Sequence, residues 1–127
     1  MIAVDTSVWV AALRTDGAEA RALRALLDED AVLLPVPVKL ELLSGTSRRD
    51  RAALRSALSA LPLAYPTDET WRLMEGWTDR TTKAGTSFDV GDLLIAAIAH
   101  EGGALVWSLD AAFARLARLD VISLYQP

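Results

Sequence analysis

The sequence predicts an α/β fold built on a parallel sheet. Three observations carry that expectation. Short apolar runs recur at residues 2–4, 31–34, 62–65, 104–107 and 121–124. A strand covered on both faces reads as such a run rather than as an alternating one. Helical patterns separate the runs, which is the rhythm of strand–helix–strand units. Finally, two of the runs end on hydroxyls and a carboxylate: Asp5-Thr6-Ser7 after the first, and Ser108-Leu109-Asp110 after the fourth. In open α/β sheets ligands bind at the carboxyl ends of the strands.

The elements follow in order. Ile2, Ala3 and Val4 form the first strand, and Thr6 or Ser7 can cap the apolar helix 8–13. Trp9 and Leu13 stand four apart on one face of it, as core or as a surface for a partner. Thr15-Asp16-Gly17 turns the chain into an amphipathic helix, 18–29, with Ala22, Leu23, Leu26 and Leu27 on one side. The second strand, 31–34, meets Pro35 and Pro37, and Pro37 suits the first turn of a helix 38–44 that stops at Gly45. Arg48, Arg49, Arg51 and Arg55 open the next helix, which runs to about residue 60, as a solvated face or a phosphate-contacting edge. A weak third strand at 62–65 precedes a helix capped by Thr67 or Asp68, in which Trp71, Met74 and Trp77 recur at helical spacing. Residues 80–87 read as a polar, basic loop near the sheet rim. The run 93–99 is apolar all round and therefore a buried helix, ended by Gly102-Gly103. A fourth strand at 104–107, a helix at 111–118 and a fifth strand at 121–124 complete one domain, 1–127.

Composition limits the chemistry. The chain has 127 residues, 52% of them hydrophobic, enough to fill one core. No apolar run is long enough to span a bilayer, and the start does not read as a signal peptide. With no cysteine and only His100, neither disulfides nor thiolate or histidine-rich metal sites can be built. That fits a reducing, cytoplasmic setting. Any metal must be held by oxygen, which points to Mg²⁺ or Mn²⁺. The net charge of −4 speaks weakly against nucleic acid, but two divalent ions would cancel it.

Four carboxylates share one explanation. Asp5 and Asp110 follow strands, Glu41 lies on the helix after the second strand, and Asp92 opens the buried helix before the fourth. Right-handed crossovers can bring these positions to one sheet edge. A carboxylate on so apolar a helix is costly unless paired or bound to metal, and clustered like charges raise one another's pKa. Asp89, a turn before Asp92, is a cap or an accessory acid. No Asp ends the third strand, as a receiver domain would need, and Ser7 breaks the Asp-x-Asp of a haloacid-dehalogenase-like phosphatase.

These residues resemble a PIN domain, specifically the VapC-type toxins of bacterial and archaeal toxin–antitoxin pairs. The resemblance lies in Ile2-Ala3-Val4-Asp5-Thr6-Ser7, Glu41-Leu42-Leu43-Ser44-Gly45, Asp92-Leu93-Leu94-Ile95-Ala96-Ala97 and Ser108-Leu109-Asp110-Ala111-Ala112-Phe113. It departs from the family at Ser108, where Thr is frequent. It implies a three-layer α/β/α domain with a four- to five-stranded parallel sheet. It also implies an Mg²⁺- or Mn²⁺-dependent endoribonuclease, with Asp5, Glu41, Asp92 and Asp110 catalytic and Asp5, Asp92 and Asp110 as metal ligands. Homodimers and a VapB-type antitoxin partner are implied with it. Thr6, Ser7, Ser108 and Asp89 are then accessory. Arg14, Lys39, Arg48, Arg49 and Lys83 are expected to touch RNA, and Trp9 and Leu13 the antitoxin. The alternative is a catalytically inactive PIN-like module that binds RNA or protein.

Overall fold

A computed structural model describes all residues, 1–127. Four strands make one parallel sheet in the order β3-β2-β1-β4: β1 (Ile2–Val4), β2 (Val32–Pro35), β3 (Leu63–Ala64) and β4 (Leu105–Trp107). Ile2 is in register with Val32 on one side and Leu105 on the other, so β1 is central. Its three residues are all buried. Successive strand side chains point to opposite faces, so both faces of the sheet are covered, as the uninterrupted apolar run requires.

Seven helices provide the cover: α1 (Thr6–Arg14), α2 (Ala18–Asp28), α3 (Val36–Gly45), α4 (Arg51–Leu58), α5 (Asp68–Lys83), α6 (Val90–Glu101) and α7 (Ala111–Arg118). This is a three-layer α/β/α arrangement around one apolar cluster that includes Val4, Val8, Leu34, Ile95, Val106 and Phe113. Helix α6 buries Leu93 and every residue from Ile95 to Ala99, as its apolar sequence demands.

Several boundaries differ from the sequence expectation. Asp5, not Thr6 or Ser7, caps α1. Helix α3 starts two residues early, at Val36, because Pro37 fits its first turn. Arg48 and Arg49 lie in a turn before α4 rather than in it. Arg51 bends back to donate to the carbonyls of Leu43 and Thr46 at 3.1 and 3.3 Å, closing the end of α3. Helix α5 continues to Lys83, which shortens the expected loop. The fifth strand is reduced to a single parallel bridge, Val106 to Leu124. Asp120, at φ 61°, turns the chain sharply just before it and leaves little length to pair.

The start of α5 is secured by a buried hydroxyl. Thr70 Oγ1 accepts from the Thr67 backbone N–H at 2.8 Å and donates to Glu101 Oε1 at 2.5 Å, tying α5 to the end of α6. Thr70→Val is expected to lower unfolding stability by about 1–2 kcal/mol, since a cap and a charged hydrogen bond go together. Urea denaturation followed by circular dichroism measures it; a wild-type midpoint would mean that α5 is held by its apolar face alone.

Candidate active site

At the carboxyl edge of the sheet, Asp5 is the only buried acid of the chain, 5% exposed. It leaves β1 with its backbone N–H bonded to the Trp107 carbonyl of β4 at 2.9 Å. Its side chain is fixed through one oxygen. Ser7 Oγ donates to Oδ2 at 2.7 Å, Ser108 Oγ donates to the same oxygen at 2.8 Å, and the Ser7 N–H approaches it at 3.4 Å. Each hydroxyl also accepts a backbone N–H: Leu109 N to Ser7 Oγ at 3.0 Å, and Asp110 N to Ser108 Oγ at 2.9 Å. A hydroxyl has one proton to give, and both protons go to Asp5. Ser7 and Ser108 are therefore positioning residues for Asp5. None of these bonds uses Oδ1.

The other acids gather around it. Burial is the largest cause raising the Asp92 carboxyl above its usual value; Asp110, Asp5 and Asp89 add to it, and Arg115 opposes them. The Glu41 carboxyl is raised first by partial desolvation, although the residue as a whole is open to solvent, and then by Asp5 and Asp92. Thr6 draws it the other way. Thr6 Oγ1 is nonetheless buried without a partner in hydrogen-bonding geometry, so its approach to Glu41 is loose. Asp110 caps α7, accepting from Ala112 N at 2.9 Å through Oδ1. Asp89 occupies the cap position of α6 but its side chain makes no capping bond, so it acts only as a nearby charge. Four elements from distant parts of the chain thus meet at one rim.

No three of these side chains already stand around one ion-sized point. The donor set still fits a hard divalent cation. It consists only of oxygens, and Mg²⁺ binds through one or two carboxylates while keeping several waters. Asp5 Oδ1, Asp92 and Glu41 are the donors least committed elsewhere. Mutual repulsion is what such a cation would relieve.

Of the cations expected to touch RNA, Arg14 is the one that shares a cavity with an acid of this rim. Arg14, at the end of α1, shares with Glu41 a cavity of about 310 Å³ lined also by Val10 and Leu42. Lys39 lies half-buried on α3, two residues before Glu41, while Arg48, Arg49 and Lys83 are exposed. None of these five joins either ion pair of the structure, Arg24–Asp16 and Arg72–Glu69.

Trp9 and Leu13 separate. Trp9 is 6% exposed and belongs to the core, with its Nε1 buried and unpartnered, because α2 packs over the first half of α1. Leu13 is 63% exposed. Both still line a shallow groove between α1 and α2, with Ala20, Leu23 and Leu27. Trp9 is thus floor rather than free surface. Sequence reasoning missed Arg115, which lies on α7 with its guanidinium 5.3 Å from the Phe88 ring centre. An isolated arginine inside an amphipathic helix carries no signal of its own.

Residues 2–119 match the PIN domain family. The chain is 34% identical over 125 residues to ribonuclease VapC11 of Mycobacterium tuberculosis, covering 94% of this chain and 93% of that protein. Among solved structures it is similar to VapBC2 of Rickettsia felis bound to a promoter DNA fragment, at TM-score 0.78 and 20% identity over 98% of both chains. It is also similar to Mycobacterium tuberculosis VapC20, described as a sarcin-ricin loop cleaving toxin. There the TM-score is 0.64 and the identity 21%, over 91% of this chain and 95% of that one.

The acid cluster has a signed consequence for stability. A carboxyl whose folded pKa is raised holds its proton more tightly in the folded chain. The stability it contributes is fully present below its unfolded pKa and is lost as pH rises through the folded one. At neutral pH, Asp92 therefore weighs against folding. With EDTA present at pH 7, Asp92→Asn should melt above wild type, and the gap should close as pH falls toward the ordinary Asp value of 3.8. Thermal melts across that range test it; a gap independent of pH would exclude the electrostatic cause.

Proposed function

Because the chain belongs to the PIN-domain family, in its VapC group, we propose that it is the ribonuclease toxin of a VapBC-type toxin–antitoxin pair. The activity is endoribonucleolytic and depends on Mg²⁺ or Mn²⁺. The observation that carries this reading is the gathering of Asp5, Glu41, Asp92 and Asp110 at one sheet edge, where burial first and then the neighbouring acids raise the Glu41 and Asp92 carboxyls. A purely structural rim gains nothing from holding like charges together. A catalytically inactive PIN-like module has no feature of the chain in its favour.

Asp5, Asp92 and Asp110 would hold the cation. When bound, it supplies charge neutralisation for a phosphodiester and makes hydroxide easier to form from water. The chain's own residues do the rest. Ser7 and Ser108 hold Asp5 in orientation through Oδ2, leaving Oδ1 free of both. Glu41, with its raised pKa and open position, orients the attacking water and takes its proton on the carboxylate. Water then adds to phosphorus as the bridging P–O bond breaks, and the departing oxygen takes a proton from solvent water. Arg14, Lys39, Arg48, Arg49 and Lys83 provide contacts to the RNA backbone. Single-stranded segments are the suitable substrate, since A-form duplex hides its bases in a deep groove.

The whole chain, 1–127, acts as this one domain, as a homodimer in the cytoplasm. A VapB-type antitoxin would dock an apolar segment against Leu13 in the groove between α1 and α2 and assemble a larger complex. No helix is long and apolar enough to cross a membrane.

Purified wild type should cleave single-stranded RNA with Mg²⁺ and stop on addition of EDTA. Asp92→Asn should lose at least about 100-fold in rate, the scale of removing one electrostatic element of a reaction centre. Mg²⁺ should raise the melting temperature of wild type but not of Asp92→Asn. Undiminished cleavage by Asp92→Asn would remove the acid cluster from the chemistry, and absent cleavage by wild type with intact RNA binding would favour the inactive module.

A further inference from the structure

One cation at the rim is held unlike the others. Phe88 closes the loop that leads into α6, one residue before the Asp89 cap position and four before Asp92. Arg115 reaches across from α7 and lies over its ring at 5.3 Å, inside the ~6 Å range of a cation–π contact. Two other arginines of this half are committed. Arg80 donates to the Leu119 carbonyl at 3.3 Å, and Arg72 pairs with Glu69. Arg115 is half-buried, stands on the helix that Asp110 caps and against the residue before Asp89, yet it forms no ion pair. A counter-ion for the acids would have closed on them. None of its nitrogens is a buried, unpartnered atom, and the ring beside it limits where the guanidinium can swing.

We propose that Arg115, laid over Phe88, is the phosphate-binding residue of this site, taking a phosphodiester of single-stranded RNA beside the one that is cut. This rests on the nuclease reading and deepens it. A guanidinium matches phosphate oxygens bidentately and, unlike lysine, stacks on a ring. Fixing it beforehand lets the strand bind without first ordering a long side chain. Its place on α7, the helix capped by Asp110, ties the phosphate contact to the acid end of the same element. Phe88 is the positioning residue, acting through Arg115.

The test separates binding from cutting. A fluorescent single-stranded oligoribonucleotide is titrated in EDTA, where no cleavage is expected, and affinity is followed against salt. Arg115→Gln should weaken binding and flatten the log–log salt slope by about 0.7, the share of one phosphate contact on a single strand. Arg118→Gln removes the same charge three residues on and should leave the slope unchanged. In Mg²⁺, Arg115→Gln should lose roughly 10- to 100-fold in kcat/KM, the range of a charge-assisted hydrogen bond. Phe88→Leu keeps the charge and should retain the salt slope while losing turnover severalfold. A wild-type slope for Arg115→Gln overturns the proposal even if wild type cleaves RNA, in which case the nuclease reading stands alone. Equal flattening by Arg118→Gln reduces the effect to bulk charge and overturns it too, as does a wild type that binds no RNA.

Discussion

The hold on Asp5 is the constraint from which the rest of the rim follows. Two hydroxyls, one following β1 and one following β4, donate to a single carboxylate oxygen, and each is itself fed by a backbone N–H from the turn after β4. The chain's start and its last third are thereby joined by hydrogen bonds spanning about a hundred residues of sequence. Burying a carboxylate is costly unless its hydrogen bonds are made, and here one of them comes from the same turn that brings in Asp110. The position of one acid and the approach of another are a single structural event.

This arrangement sets the electrostatics of the whole edge. With Asp5 held at this edge, its charge acts on the acids around it. Asp92 and Glu41 are the groups whose protons are held more tightly, with burial first among the causes. Asp92 stands in the first turn of a helix that buries Leu93 and Ile95 to Ala99 directly after it. The helix start offers it some favourable dipole, worth roughly 0.3–1 kcal/mol at exposed sites. That is small beside the desolvation of a carboxylate, so the position is retained for something other than stability. A reaction centre is the ordinary reason for such strain.

Much of this was legible in the sequence, for specific reasons. The strand 2–4 and helix 90–101 announce themselves because burial on all sides leaves unbroken apolar runs. The acids were legible because a carboxylate directly after such a run has few bland explanations. What could not be read was the division of labour among hydroxyls. Thr6, Ser7 and Ser108 look alike as residues, and only the geometry shows that two spend their protons on Asp5 while the third lacks a partner. Trp9 was ambiguous because α1 alone does not say which neighbour covers it; α2 does. The fifth strand failed because apolar composition cannot reveal that Asp120 turns the chain too late for a ladder to form.

Net charge misled in an instructive way. At −4 the chain looks unsuited to a polyanion, yet charge acts over about 10 Å at moderate salt, so placement outweighs the total. The acids are concentrated at one edge, and Arg14 shares a cavity with Glu41 there. Arg115 shows why placement matters. A mobile lysine beside four carboxylates would collapse onto them and cancel its own use. A guanidinium held against Phe88 stays short of ion-pair distance and keeps its donors for another oxygen anion. The ring therefore does two things at once: it fills the gap between the α6 entry loop and α7, and it prevents the cation from being neutralised by the acids it serves.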